Sequence, residues 1–193
     1  MFAGGTMEKE EILESLQTLR RESVERNFLQ SVDLLVNLKD LNLKNPEQKV
    51  DTYVNLPHAL GKKKSVAAFV AADAVDVVTG VVDEVVHVDT FEDYKDKKKA
   101  KALAKSYDFF IAQADIMPKV ATVFGRYLGP RGKMPNPKIG GIINPKSDVQ
   151  SIHQRLQKTA ALKAKKDPLV QVKVGNQEMD DEALAENILA AYN

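Results

Sequence analysis

The chain has no cysteine, so neither disulfides nor thiolate-bound metals can hold it together, an absence that fits a reducing cytosol. It has no apolar run approaching the length of a bilayer-spanning helix, and no membrane partner is expected. Met1–Thr6 lacks the basic region and the apolar stretch of a secretory signal, and reads as a disordered leader before a helix opening at Met7. Histidines are few: His58, His87 and His153 stand isolated, without paired metal-ligand spacing. The sequence has no Gly-x-Ser-x-Gly nucleophile turn and no Gly-x-Gly-x-x-Gly, and its carboxylates fall in surface-like patterns. These absences argue against an enzyme, a cofactor and a metal.

What is present is charge, unevenly placed. Residues 1–60 carry 7 basic against 10 acidic side chains, and residues 61–125 balance at 10 against 10. Residues 126–173 carry 11 against 2, and the last stretch, 174–193, carries 0 against 5. A formal total of +1 therefore hides one strongly basic segment. Such a segment is either a solvated face or the footprint of a docked phosphate backbone.

The hydrophobic pattern changes style twice. An amphipathic helix over 7–24 carries Ile12, Leu16 and Leu19, and Val32, Leu34, Val36 and Leu38 then alternate as a half-buried strand. Asn45-Pro46 marks a turn, and Thr52, Val54 and Leu56 make a second strand ended by Pro57. From Ser65 the pattern is unbroken: Val66–Ala72 reads as a strand covered on both faces. A helix over 73–82, a strand over 84–88, a lysine-rich helix over 95–107, a strand over 108–113 and a helix from 114 to about Gly125 follow. Strands alternating with helices imply a parallel α/β layer. The end returns to the first style, with a helix over 148–159, a strand over 169–174 and a helix over 181–192. The fold class is α/β in two domains: a discontinuous α+β domain, 1–62 plus 146–193, interrupted by an inserted Rossmann-like domain, 63–145.

Three groups of residues invite a chemical reading. In Gly125-Arg-Tyr-Leu-Gly-Pro-Arg-Gly-Lys-Met-Pro-Asn-Pro137, glycines and prolines forbid regular structure while Arg126, Arg131 and Lys133, with Lys138 after them, supply charge. A phosphate-cradling loop would need Gly at Tyr127 and Ser or Thr at Met134, so that reading fails. A basic loop for phosphate or partner contact, or a plain crossover loop, remains. In Arg26-Asn27-Phe28-Leu29-Gln30-Ser31, the aromatic can stack on a base while its neighbours bond phosphate or 2′-hydroxyls, though Phe at such a junction is commonly core. Arg155, Lys158, Lys163, Lys165 and Lys166 straddle a helix end and a turn, where cations also answer the helix dipole. The lysines at 97–99, 101 and 105 read as a solvated helix face.

Tyr107-Asp-Phe-Phe-Ile-Ala-Gln-Ala-Asp-Ile-Met-Pro118 and Leu128-Gly-Pro-Arg-Gly-Lys-Met-Pro-Asn-Pro137 resemble the signature of the ribosomal protein L-one family. Arg26–Ser31, Asn37-Leu-Lys-Asp-Leu-Asn-Leu43 and Leu56-Pro-His58 are similar to its archaeal form, and the resemblance runs from about Glu8 to Asn193. It implies an RNA domain built from the terminal halves of the chain with a Rossmann-like insertion. The implied partners are the large ribosomal subunit, through 23S-type rRNA at the mobile stalk beside the tRNA exit site, the chain's own mRNA, and exit-site tRNA. It implies a cytoplasmic, ribosomal location and a monomer when free. By position it assigns RNA contact to Arg26, Asn27, Phe28, Gln30 and Ser31, with Lys158, Thr159, Lys163 and Lys165 as further contacts. Leu29 departs from the polar residue common there. The family continues past Asn193 into a final strand and a Thr-Met-Gly-Pro loop, so the resemblance implies a chain lacking that element.

Overall fold

The computed structural model describes residues 8–24, 26–39, 50–164 and 167–193. The expected leader, the helix start at Met7, the Asn45-Pro46 turn, Lys165 and Lys166 lie outside these residues. The chain divides into two compact units, residues 1–62 with 158–193 and residues 63–157.

In the first unit α1 (Lys9–Glu22) opens on Glu10 and Glu11 and closes on Arg20 and Arg21, the order that suits a helix dipole. Its Ile12 and Leu16, four residues apart, are buried. β1 (Ser31–Asn37) runs antiparallel to β8 (Leu169–Asn176), and β2 (Val50–Asn55) runs antiparallel to β7 (Thr159–Ala164). β7 and β8 lie side by side across a short connection. α6 (Asp181–Tyr192) packs on α1 and β8. Leu34 opposite Val172 and Val36 opposite Val170 turn inward, and the core gathers Ile12, Leu16, Val172, Val174, Leu184 and Ile188. Fully buried Asn187 ties three parts together. Its Oδ1 accepts from the His58 N–H at 2.9 Å, and its Nδ2 donates to the carbonyls of His58 (3.2 Å) and Val174 (2.8 Å).

The second unit is a parallel sheet in the order β4-β3-β5-β6, from β3 (Val66–Val70), β4 (Glu84–His87), β5 (Phe109–Gln113) and β6 (Ile142–Ile143). β3 is central and every residue of it is fully buried, as its unbroken apolar run requires. On one face Phe69 stacks on Phe110 at 5.6 Å, and Phe91 meets Phe69 and Phe124 edge to face at 5.8 and 5.1 Å. Pairs of this geometry add to area burial. α3 (Lys97–Ser106) and α4 (Met117–Leu128) close this core through Leu103, Ala104, Val120, Phe124 and Leu128. Asp83 secures the entry to β3: its Oδ2 accepts from the Val66 N–H at 2.8 Å and its own N–H donates to the Val66 carbonyl. Beside this entry, Gln157 clasps Lys64, accepting from its N–H at 2.7 Å and donating to its carbonyl at 2.8 Å.

Several expectations need correction. The helix expected over 73–82 is one short turn, α2 (Val75–Val78), behind a 3-10 turn (Ala72–Ala74), because the chain reverses at Gly80, whose φ is +81°. α4 runs through Gly125 to Leu128, so the irregular loop begins only at Gly129. The stretch expected to be a turn before Leu169 contains a strand, β7, and β6 was not anticipated. The return crossing lies at 157–158 rather than at 145–146, since α5 (Val149–Lys158) packs with the inserted unit. Arg155 donates to the Ile139 carbonyl at 3.0 Å, seated where a side chain on Gly140 (φ +70°) would collide with its guanidinium.

Replacing Asn187 with Ala leaves three backbone groups without partners, and the first unit is expected to lose about 2–4 kcal/mol. Hydrogen exchange checks it: protection should fall in α6 and β8 and hold in β3 and β5. The Val66 N–H, opposed by burial, holds the Asp83 carboxyl below the usual carboxylate range, and Lys63 adds to the effect. A depressed folded pKa stabilises in full above the unfolded value and is lost as pH falls through the folded one. Asp83→Asn is therefore expected to be less stable at neutral pH but to lose less on acidification, which denaturation across the carboxylate range will read.

Candidate nucleic-acid interface

The segment between α1 and β1 stands out from the surface of the first unit. α1 ends at Ser23, whose extended backbone points the chain away from the helix axis. Phe28 is 60% exposed, with the Arg26 guanidinium 6.0 Å from the ring centroid. The alternative that Phe28 is core is thereby decided: the ring lies at the surface. Asn27 and Ser31 are exposed as well. The segment is held from behind. Gln30 donates through Nε2 to the Val24 carbonyl at 3.0 Å, and its own carbonyl accepts from the Gln177 N–H at 3.0 Å.

Arg20 stiffens the same corner. Its guanidinium donates to the Asp181 carboxylate at 2.6 Å and to the carbonyls of Gln177 (2.7 Å) and Met179 (2.5 Å). That fork fixes the end of α1 to the turn between β8 and α6. Sequence reasoning missed Arg20 because its partners lie more than 150 residues away along the chain. A cleft of about 500 Å³ runs beside it, lined by Leu16, Leu19, Arg20, Val24, Gln30 and Val32.

The other expected contacts divide sharply. Lys158, just before β7, lies at the same end of the strands as Ser31, and its Nζ donates to the Pro57 carbonyl at 2.8 Å. Thr159 is 1% exposed and its hydroxyl donates to Asn55 Oδ1, so its side chain cannot meet an external ligand without the strand opening. Lys163 lies at the far end of β7. Its Nζ donates to the Tyr53 hydroxyl at 3.2 Å, stands 3.5 Å from Asp51 and lies 5.0 Å from the Tyr53 ring centroid. Lys165 lies outside the described residues.

The basic loop belongs to the second unit. Lys133 is turned inward: its Nζ donates to the carbonyls of Ala104 (3.2 Å) and Tyr107 (2.7 Å), closing the C-terminal end of α3. Burial pushes its pKa down, against the pull of Asp108 and with the repulsion of Arg131. Arg131 donates to the Tyr127 carbonyl at 2.8 Å, while Arg126 and Lys138 are exposed. Sheets of this order take nucleotides at the carboxyl ends of the central strands, here β3 and β5. Gln113 accepts there from the Ala71 N–H and donates to the Asp73 carboxylate, which opposes a phosphate.

A family described as ribosomal protein L1p/L10e matches residues 19–193. The chain belongs to that family. It is similar to the large ribosomal subunit protein uL1 of Methanothermococcus thermolithotrophicus, 40% identical over 97% of this chain and 86% of that protein. The uL1 proteins of Pyrococcus horikoshii and Methanobrevibacter smithii are 38% and 42% identical, over 96% and 93% of this chain and 84% and 83% of theirs. The family placement agrees with the resemblance read from the Tyr107–Pro118 and Leu128–Pro137 motifs.

Lys133→Gln is expected to lower stability by about 1–2 kcal/mol, because two carbonyls at the end of α3 lose a charged donor. Phe28→Ala should leave the melting temperature unchanged, since the ring supports no core. Thermal melts of both variants check the contrast.

Proposed function

We propose that this chain is a structural, non-catalytic RNA-binding protein of the large ribosomal subunit in the cytoplasm. Its first unit docks on 23S-type rRNA at the mobile stalk beside the tRNA exit site. The observation that carries this reading is the exposed Phe28 ring with Arg26 beside it, on a corner braced by Gln30 and Arg20. A rigid aromatic can stack on an unpaired base at little entropic cost, while Arg26, Asn27, Gln30 and Ser31 serve the sugar and phosphate around it. Lys158 adds positive charge at the same end of the sheet. The names of the uL1 relatives support the ribosomal assignment. The same surface can hold a mimic of the rRNA site in the chain's own mRNA and so repress its translation. Exit-site tRNA is a further partner, and the free protein is a monomer.

The test is co-sedimentation with large subunits together with RNA binding by the purified chain. Binding to a folded large-subunit rRNA fragment is expected to be specific and to weaken steeply with salt. Phe28→Ala is expected to cost about 1–3 kcal/mol of affinity, the range for lost aromatic stacking. Equal affinity of wild type and variant, or equal affinity for any duplex, would refute the reading.

A further inference from the structure

α3 opens against its own dipole. α1 and α6 open on pairs of acidic residues, but α3 opens on Lys97, Lys98 and Lys99, with only the Asp96 cap to answer the positive end of the helix. Lys97, Lys101 and Lys105 follow at four-residue intervals, which stacks like charges one turn apart, a second destabilising choice. Buried Ala100, Leu103 and Ala104 face the core. At 100° per residue, Lys97, Lys98, Lys101 and Lys105 fall on one outward stripe about 12 Å long. All four are exposed, and among the described residues no carboxylate lies within ion-pair distance of any of them. The nearby Glu92 is paired with Lys95 instead.

We propose that this face of α3 is a second docking surface for an RNA phosphate backbone, on the inserted unit. It rests on the reading of the chain as an RNA-binding protein and adds a surface to it. The lysines, which as sequence read as a solvated face, form an ordered row of unpaired cations on a helix that the same residues destabilise. The partner's class follows from what the face lacks. The exposed large hydrophobic side chains, Leu19, Val24, Phe28, Leu29 and Leu35, all belong to the first unit. Insertion into a membrane and a standard protein interface draw on apolar anchors, which this face does not have. A phosphate backbone requires none.

The experiment uses the full chain carrying K97Q, K98Q, K101Q and K105Q together. Helicity should hold or rise, because repulsion along α3 is removed, so circular dichroism guards against misfolding. Against a structured large-subunit rRNA transcript, the log–log salt slope should fall by about 2–3 units, taking roughly 0.9 per phosphate as the guide. Affinity at low salt should fall by about tenfold or more. Phe28→Ala should show the opposite signature, a loss of affinity with the slope kept. Wild-type binding with the same slope in the quadruple variant would overturn this proposal and leave the first-unit site standing. A wild type that binds no RNA would remove both. Polyglutamate and phosphatidylserine vesicles are the rival probes: binding to either that the quadruple variant loses, with RNA binding intact, would also overturn it.

Discussion

Both antiparallel ladders of the first unit join a strand that precedes the inserted unit to one that follows it: β1 to β8, and β2 to β7. Asn55 pairs directly with Thr159, with the whole second unit in between. Closing a flexible loop of about a hundred residues costs on the order of 4 kcal/mol. The inserted unit lowers that cost by holding its own ends together. The Gln157 amide satisfies both backbone groups of Lys64, as a neighbouring strand would, so the chain leaves the unit beside the point where it entered. Asn187 completes the closure within the first unit by pinning His58 against Val174. The Phe28 corner inherits its rigidity from this closure, since Gln177, which braces Gln30, comes from the returning half of the chain.

Charge looks different once the chain is folded. The segment 126–173 has most of the excess of cations, yet many of them hold backbone in place. Lys133 closes α3, Arg155 holds Ile139, Lys158 holds Pro57 and Lys163 faces Asp51 and Tyr53. Among the described residues a row of cations without ion pairs lies instead in α3, within a stretch whose net charge is zero. Acids and bases that cancel in a window of sequence need not share a surface. Asp73 and Asp83 answer backbone and amide groups elsewhere in the unit, so they do not neutralise the α3 lysines.

Much of the fold was legible because it rests on local periodicity. The buried run of β3, the alternation of β1 and β8, and the span of α6 follow from which positions must leave water. β6 and β7 escaped notice for a physical reason. β6 is two residues long, and β7 is Thr-Ala-Ala-Leu-Lys-Ala, whose small side chains have little period of their own and become a strand by pairing with β2. The exposure of the candidate residues was less legible than the fold. Phe28 is exposed, whereas Thr159 is sealed against Asn55 and Lys133 faces a helix end.

By itself the sequence determined the two-part architecture and the family, and named the candidates for RNA contact, because patterning and the loop signature are written in neighbouring residues. Tertiary structure decided which of those residues are available. Whether a lysine faces solvent or a carbonyl depends on partners tens to a hundred residues away, as Lys133 with Ala104 and Lys158 with Pro57 make plain. Burial and hydrogen bonding act through space, and only the folded chain brings those groups within reach.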